Sequence, residues 1–451
     1  MKKKTVSFVS LGCDKNTIDS EIMLNRLLEG GYELVKEDEE AEIIIINTCG
    51  FIQSAQEESI ETIIEMGAYK QTGRCEKLVV TGCLAQRFAA EIQEDLPEVD
   101  AVVGTGSYEN IVEVLDRLYE QDGVLVEMGK LEERDLSYQE RLLSTTGYYE
   151  YIKIAEGCDN FCTYCTIPSI RGKYRSRKAS DIIREVHDLA EQGVTELMVV
   201  AQDITKYGKD LEEDIDLADL LYMMCRVEGI RWIRLLYCYP EDISDKLIKT
   251  MAAEEKILPY IDMPIQHCSD TVLKRMGRHH TKAILYEVIG KLREAMPDIA
   301  IRTTLITGFP GETEKEFQEM CDFVEEIGFD RLGVFTYSQE EGTPAARMKD
   351  QVPEEEKERR KDILMQIQQQ VSLEVSESFI GTEMEVLVEG EIPEETTDGF
   401  VYSTRSFRDA PDIDGFVFVT SEKRHDSGEY IQCRITSAYE YDLTGSEIKD
   451  V

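Results

Sequence analysis

The chain has 451 residues, with 50 lysines and arginines against 91 aspartates and glutamates and a formal net charge of −41 at pH 7. That length divides into several domains, roughly two to four, and charge of that sign argues against a nucleic-acid backbone as main partner and for a basic protein. Twelve cysteines are too few for a disulfide scaffold, and their grouping in short runs indicates metal ligation in a reducing, hence cytoplasmic, compartment.

Lys2 to Lys4 and the apolar stretch ending Ser10-Leu11-Gly12-Cys13 imitate a lipoprotein signal, but the apolar part is short and carries Ser7 and Ser10,. No stretch approaches a transmembrane helix, so no membrane association is expected. Strand-like runs at 5–11, 42–47, 77–81 and 101–103 alternate with helical runs at 20–28, 55–66, 85–96 and 110–119, the pattern of a parallel α/β domain. Cys13, Cys49 and Cys83 each fall just past the end of one of those strands, about one βα unit apart. Ligand sites of open α/β sheets gather at that edge. Three loops are therefore expected to bring three thiolates together as a second cluster site, against the alternative of three buried structural cysteines.

A polar stretch at 132–146 lacks periodicity and reads as linker. The alternation restarts with strands at 151–155, 196–201, 232–237, 260–264, 300–307 and 331–336, which predicts an open parallel (β/α)6 barrel. The loop after its first strand carries Cys158, Cys162 and Cys165 as C-x3-C-x2-C. Three thiolates at that spacing hold three irons of a cubane cluster and leave the fourth open to a small chelating molecule. The loop faces the barrel mouth, where active sites of such barrels are built. Zinc is the competing ligand, but it prefers C-x2-C pairs with a fourth Cys or His at defined spacing, and none follows Cys165 nearby.

A long helix is expected over 353–379. Beyond Gly381, alternating strands at 383–388, 399–403, 415–420 and 430–435 suggest a small antiparallel barrel. Residues 376–451 hold 18 acidic and 6 basic side chains, the wrong sign for phosphates. The expected domains are 1–120, a linker at 121–146, 147–378 with its connecting helix, and 379–451. The basic run Arg171, Lys173, Arg175, Arg177 and Lys178 reads either as a grip for a substrate carboxylate or cofactor, or as a solvated charged face. The run Ile306-Thr307-Gly308-Phe309-Pro310-Gly311-Glu312 ends a barrel strand with glycines, as close backbone approach to a nucleoside requires. Cys75, Cys225, Cys238, Cys268, Cys321 and Cys433 share no spacing and read as buried apolar residues; His267, His279 and His280 are assigned no role.

The triplet, with an aromatic residue, Tyr164, just before its third cysteine, resembles the radical S-adenosylmethionine superfamily. The resemblance implies a [4Fe-4S] cluster that cleaves S-adenosylmethionine to methionine and a 5′-deoxyadenosyl radical. In this fold Gln202, Asp203 and Arg302, at or near the carboxyl ends of barrel strands, read either as further S-adenosylmethionine contacts or as packing or surface residues. Over essentially its full length the chain resembles the methylthiotransferase family. There the cysteines matched by Cys13, Cys49 and Cys83 hold an auxiliary [4Fe-4S] cluster associated with sulfur insertion, a second S-adenosylmethionine supplies the methyl group, and the last domain is a TRAM module.

Ser10-Leu11-Gly12-Cys13-Asp14-Lys15-Asn16, Ile167-Pro168-Ser169-Ile170-Arg171-Gly172-Lys173-Tyr174-Arg175-Ser176-Arg177, Ala201-Gln202-Asp203-Ile204-Thr205, Phe335-Thr336-Tyr337-Ser338 and Asp409-Ala410-Pro411-Asp412-Ile413-Asp414-Gly415 are similar to the branch that modifies an aspartate of ribosomal protein S-twelve rather than a tRNA adenosine. Asp14 stands where that branch commonly has proline and Ile204 where it commonly has threonine, departures that bear on substrate contacts and not on the cysteines. The expected partners are therefore ribosomal protein S-twelve and a low-potential electron donor such as flavodoxin or ferredoxin, with RNA contact secondary. Chain acidity agrees, since complementary fields favour a basic protein.

Overall fold

The computed structural model describes residues 4–120, 123–393 and 399–448. The first lysines of the signal-like run and linker residues 121–122 lie outside the described residues. The N-terminal strands are β1 (Thr5–Ser10), β2 (Glu33–Leu34), β3 (Ile43–Thr48), β4 (Lys77–Gly82), β5 (Ala101–Val103) and β6 (Leu125–Glu127). They form one parallel sheet in the order β2-β1-β3-β4-β5-β6. β3 opens with four isoleucines and is buried throughout, as a central strand covered on both faces must be. Chain order reverses between β1 and β3, and that switch point opens a crevice at their carboxyl ends.

The helix after β1 runs Asp14–Glu29, starting well before the expected position. Its first turns bury Lys15, Asn16, Asp19, Ser20 and Glu21, a polar face with no hydrophobic period to betray it. The expected helix at 85–96 breaks at Phe88 into Cys83–Arg87 and Ala89–Asp95.

The central domain holds β7 (Tyr149–Lys153), β8 (Ala155–Glu156), β9 (Arg175–Ser176), β10 (Glu196–Val200), β11 (Trp232–Leu235), β12 (Ile257–Asp262), β13 (Ala300–Thr307) and β14 (Arg331–Thr336). Six of these make an open parallel sheet, β14-β13-β12-β11-β10-β7, while β8 and β9 form a short antiparallel pair. That pair pins both ends of the triplet loop. Along β13, Ile301 and Leu305 join the large core; by the strand's alternation Arg302, Thr304 and Ile306 occupy the opposite, concave face,.

Helix Glu354–Glu377 leads to β15 (Glu383–Ile392), β16 (Phe400–Ser406), β17 (Val417–Ser421), β18 (Tyr430–Ala438) and β19 (Leu443–Glu447), which close into a barrel. β19, Leu-Thr-Gly-Ser-Glu, has no apolar alternation and was not expected. It closes the barrel by pairing parallel to β17 and antiparallel to β18.

The two outer domains cap opposite ends of the central one. At the amino end, the segment following β16 enters the barrel. Arg405 binds Glu196 at 2.7 Å, Arg234 donates to the Phe407 carbonyl at 2.6 Å, Tyr149 binds Asp412 at 3.0 Å, Tyr260 binds Asp414 at 2.7 Å and Arg331 binds Asp409 at 2.6 Å. At the carboxyl end, Arg87 reaches Glu340 at 2.8 Å and Tyr237 reaches Asp14 at 3.2 Å. One apolar cluster joins Ile18, Trp232 and Leu387, a residue from each domain. Among the described residues no helix is long and apolar enough to cross a membrane.

Candidate active site

The triplet loop leaves β8 through Gly157, whose φ is +79° and where an added Cβ would lie 2.1 Å from the Lys173 carbonyl oxygen. Only glycine fits there. Cys158 and Cys162 are buried and Cys165 is half-buried. The amide of Asn160 points at Cys158 Sγ, and that of Ile167 at Cys165 Sγ, each at 3.5 Å. Such donors favour thiolate and tune a cluster held by it. Between the cysteines, Phe161 is 61 % exposed in a left-handed backbone with φ +49°. Burial pushes the Cys158 thiol up to about 11, against the Asn160 amide, with Cys162 adding its charge. Cys165 is raised by burial and then by Cys162 and Cys158. Burial thus favours the protonated thiols of Cys158 and Cys165, and an iron that binds them displaces their protons,.

The structure places Cys13, Cys49 and Cys83 around the crevice beside β1, β3 and β4. Cys13 stands at the N-cap of helix Asp14–Glu29, and Cys83 opens the helix after β4. The amide and carbonyl of Cys49 are both held by the Ser59 hydroxyl, at 3.1 and 2.9 Å. Gly82 has φ +94° and packs where Asn47 Oδ1 would meet an added Cβ at 2.3 Å. Burial pushes Cys49 up to about 11, and the charges of Cys83 and Cys13 add to the rise. Cys83 is raised by burial, with Arg171 opposing and Cys13 adding.

A buried ionic network joins the two cysteine sets. Asp19, on the helix after Cys13, accepts from Lys153 at 2.6 Å, from Arg134 at 3.0 Å and from Arg171. Glu156, at the start of the triplet loop, accepts from Arg134 at 2.7 Å and Lys153 at 2.9 Å. Burial opposes ionisation of both carboxyls. Lys153, Arg171 and Arg134 nevertheless hold Asp19 well below the carboxylate range, and Lys153, Arg134 and Arg171 hold Glu156 at about 2. Arg171 also donates to Asn16 Oδ1 and, at 3.4 Å, to Cys83 Sγ. The basic run is thus no solvated face at this position: Arg171 is 3 % exposed, and Arg177, also buried, pairs with Glu185. Arg175 donates to the Leu131, Glu132 and Arg134 carbonyls, fastening the linker.

The other expected contacts divide. Gln202 donates to Glu156 at 3.2 Å, and its Oε1 is buried without a partner among the described residues. Asp203 is engaged within the protein, accepting from Asn160 of the triplet loop at 2.9 Å and from the Thr205 hydroxyl of its own loop at 2.6 Å. It steadies the triplet loop. Arg302 lies in the first half of β13, not near its carboxyl end, and pairs with Asp262 at 2.7 Å and Asp414 at 3.4 Å. Tyr164 packs edge-on to Phe309, 6.4 Å between centroids. Glu312 turns back to the Phe309 amide and to Arg360, anchoring the long helix. The six unspaced cysteines are all buried. Lys15, Asp19, Arg134, Lys153, Glu156 and Tyr237 carried no expected role; their one sequence signal is that Lys15 and Glu156 stand within two positions of a cysteine of one of the sets.

Family models match three consecutive parts: an uncharacterized protein family, UPF0004, over residues 5–104, the Radical SAM superfamily over 152–324 and the TRAM domain over 380–448. The chain is 48 % identical to the ribosomal protein uS12 methylthiotransferase RimO of Lachnoclostridium phytofermentans, covering 98 % of this chain and 99 % of that one. It is 49 % identical to the RimO of Acetivibrio thermocellus, covering 99 % of each. The chain belongs to the RimO family.

Among solved structures it resembles the radical S-adenosylmethionine methyltransferase TsrM from Kitasatospora setae, with a TM-score of 0.59 at 13 % identity over 87 % of this chain and 81 % of that one. At that identity the likeness is one of fold. The residues present fit the clusters implied by the RimO family. Each set offers three thiols that feel one another's charge, the triplet has amide donors on sulfur, and the N-terminal set has a guanidinium on Cys83. Among the described residues no three His, Cys, Asp or Glu side chains close around a single metal ion, so the fit rests on the thiol chemistry.

Proposed function

We propose that the chain methylthiolates the β-carbon of an aspartate of ribosomal protein uS12. Residues 147–378 would carry the radical chemistry, 1–120 the sulfur insertion and 379–451 the cap on the barrel's amino end, with 121–146, which lends β6 to the N-terminal sheet, joining the first two. Cys158, Cys162 and Cys165 would hold a [4Fe-4S] cluster, which would supply the low-potential electron for reductive cleavage of S-adenosylmethionine, and Cys13, Cys49 and Cys83 would hold a second, which would supply the sulfur-insertion chemistry. The chain's own part is placement. The N-terminal domain meets the barrel mouth through the Arg87–Glu340 and Asp14–Tyr237 contacts, Asp203 holds Asn160 and so the triplet loop, and Arg171 fixes Cys83 against the central domain. Gln202 Oε1 and Tyr164 are the atoms offered to S-adenosylmethionine, whereas Arg302 serves the contact with the C-terminal domain.

The observation that carries this reading is that Arg171, from the loop that holds the triplet, reaches both Asp19 and Cys83 of the N-terminal domain in one buried network. A saturated carbon beside a carboxylate is weakly acidic, which is why a radical and not an acid–base pair is needed. The C-terminal barrel turns Arg405 and Arg408 inward and pairs Arg434 with Glu383, so among the described residues Lys423 and Arg424 are the exposed cations it keeps for tRNA. The electron would come from a flavodoxin- or ferredoxin-type donor, and the ribosomal substrate implies a cytoplasmic site. Incubating the anaerobically reconstituted, reduced protein with S-adenosylmethionine and either uS12 or tRNA tests the reading by mass spectrometry. A methylthio gain on uS12 is expected; a gain on tRNA alone contradicts it.

A further inference from the structure

Lys15, two residues past Cys13, is buried where the N-terminal domain meets the barrel mouth, its side chain 7 % exposed. Its only ion pair among the described residues is with Asp14, at 3.1 Å, and its ammonium lies 3.0 Å from the ring centroid of Tyr237. The neighbouring buried cations are committed: Arg134 and Lys153 each bind both Asp19 and Glu156, Arg171 binds Asp19, Asn16 and Cys83, and Arg302 binds Asp262 and Asp414. A lysine has three N–H donors, so Lys15 keeps donor capacity that these others have spent.

Two features mark the spot as built for a polar ligand. Asp14 Oδ2 is buried without a partner among the described residues, an acceptor suited to an N–H of a bound peptide and not to its carboxylate, which only the Lys15 ammonium can take. Tyr237 follows β11 with φ +63°, a left-handed backbone that costs a bulky residue about 1–3 kcal/mol, and that conformation accompanies a ring beneath the Lys15 ammonium and a hydroxyl bonded to Asp14 Oδ1 at 3.2 Å. Asp14 and Tyr237 thus clamp the ammonium beside Cys13.

An aspartate brought to this mouth loses water from its carboxylate, which is costly without a cation. We propose that Lys15 receives the side-chain carboxylate of the substrate aspartate and selects aspartate over asparagine, with Asp14 and Tyr237 positioning the ammonium. This rests on the aspartate-modifying reading of the site. The carboxylate survives the reaction and is bonded to the carbon that reacts, so one ammonium contact fixes that carbon next to Cys13. Asp14, already on one N–H, keeps Lys15 neutralised until the substrate arrives.

The test measures calorimetric binding of two peptides spanning the modified site of uS12, one with aspartate and one with asparagine there, to the cluster-loaded, S-adenosylmethionine-bound protein. The wild type is expected to prefer the aspartate peptide by about 10- to 100-fold, the worth of one hydrogen bond to a charged group. Lys15→Met and the polar Lys15→Gln bind both alike, and Lys15→Arg retains a preference. Wild-type discrimination persisting in Lys15→Gln, or no preference in the wild type, overturns the assignment. A wild type that methylthiolates neither uS12 nor the aspartate peptide overturns instead the reading beneath it.

Discussion

The guanidinium of Arg171 donates to Cys83 Sγ at 3.4 Å across the seam between the first two domains. Arg171 follows the triplet in sequence, and Cys83 belongs to the other cysteine set. A single side chain thus ties the loop of one set to a ligand of the other, and Asp19 on the same guanidinium prevents it from swinging away.

A positive donor on a ligating sulfur favours the reduced, more negative state of a cluster held there. Replacing Arg171 by methionine is expected to lower the midpoint potential of the N-terminal cluster by about 60–130 mV, the one-electron equivalent of losing a hydrogen bond to a charged group. Arg171→Lys falls between. Redox titration followed by electron paramagnetic resonance reads the shift, and an unchanged or raised potential would deny the contact its role.

Gly157 and Gly82 each stand immediately before a cysteine in a left-handed backbone, with a backbone carbonyl or a buried side chain where a Cβ would go. Alanine at either site costs about 1–2 kcal/mol from conformation alone, and the clash adds to it. The loss is expected to be local. Gly157→Ala lowers iron bound at the triplet and abolishes 5′-deoxyadenosine formation, while Gly82→Ala lowers iron at the N-terminal set and leaves that cleavage in place. Iron analysis beside the cleavage assay separates the two.

Glu196 is fully buried between Arg405 at 2.7 Å and Arg234 at 3.0 Å, where the segment after β16 enters the amino end of the barrel. Burial opposes its ionisation, yet Arg405 and Arg234 win and hold it below the ordinary 4.5. A carboxyl lowered in this way stabilises the folded protein fully above 4.5, and the contribution drains as pH falls from there through its folded value. Thermal unfolding between pH 7 and pH 3 should show that loss. Glu196→Gln should cost about 3–5 kcal/mol at pH 7 by taking from buried Arg234 its ion partner and leaving buried Arg405 with Glu389 alone,, and its stability should vary less over the acid window.

Most of what locates the site was legible in the sequence, because it depends on local pattern. Apolar strands followed by cysteines fix Cys13, Cys49 and Cys83 at one sheet edge, and the spacing of Cys158, Cys162 and Cys165 identifies a three-thiol loop at a barrel mouth. The network between them was not legible. Arg171 pairs with Asp19, 152 positions away, and nothing local distinguishes it from a solvated cation. The early start of the helix at Asp14 was hidden for the same reason: its buried face is polar, so hydrophobic periodicity is silent there. β19 escaped because its residues earn their place by closing a barrel, not by alternation.

The most direct test of the two-set account is to replace Cys13, Cys49 and Cys83 together by serine and follow iron, 5′-deoxyadenosine and product in one anaerobic experiment. The expected protein binds half the wild-type iron, still forms 5′-deoxyadenosine when reduced with S-adenosylmethionine, and leaves uS12 without a methylthio group. Full methylthiolation by the triple variant, or loss of 5′-deoxyadenosine along with the product, would contradict the division of labour between the two cysteine sets.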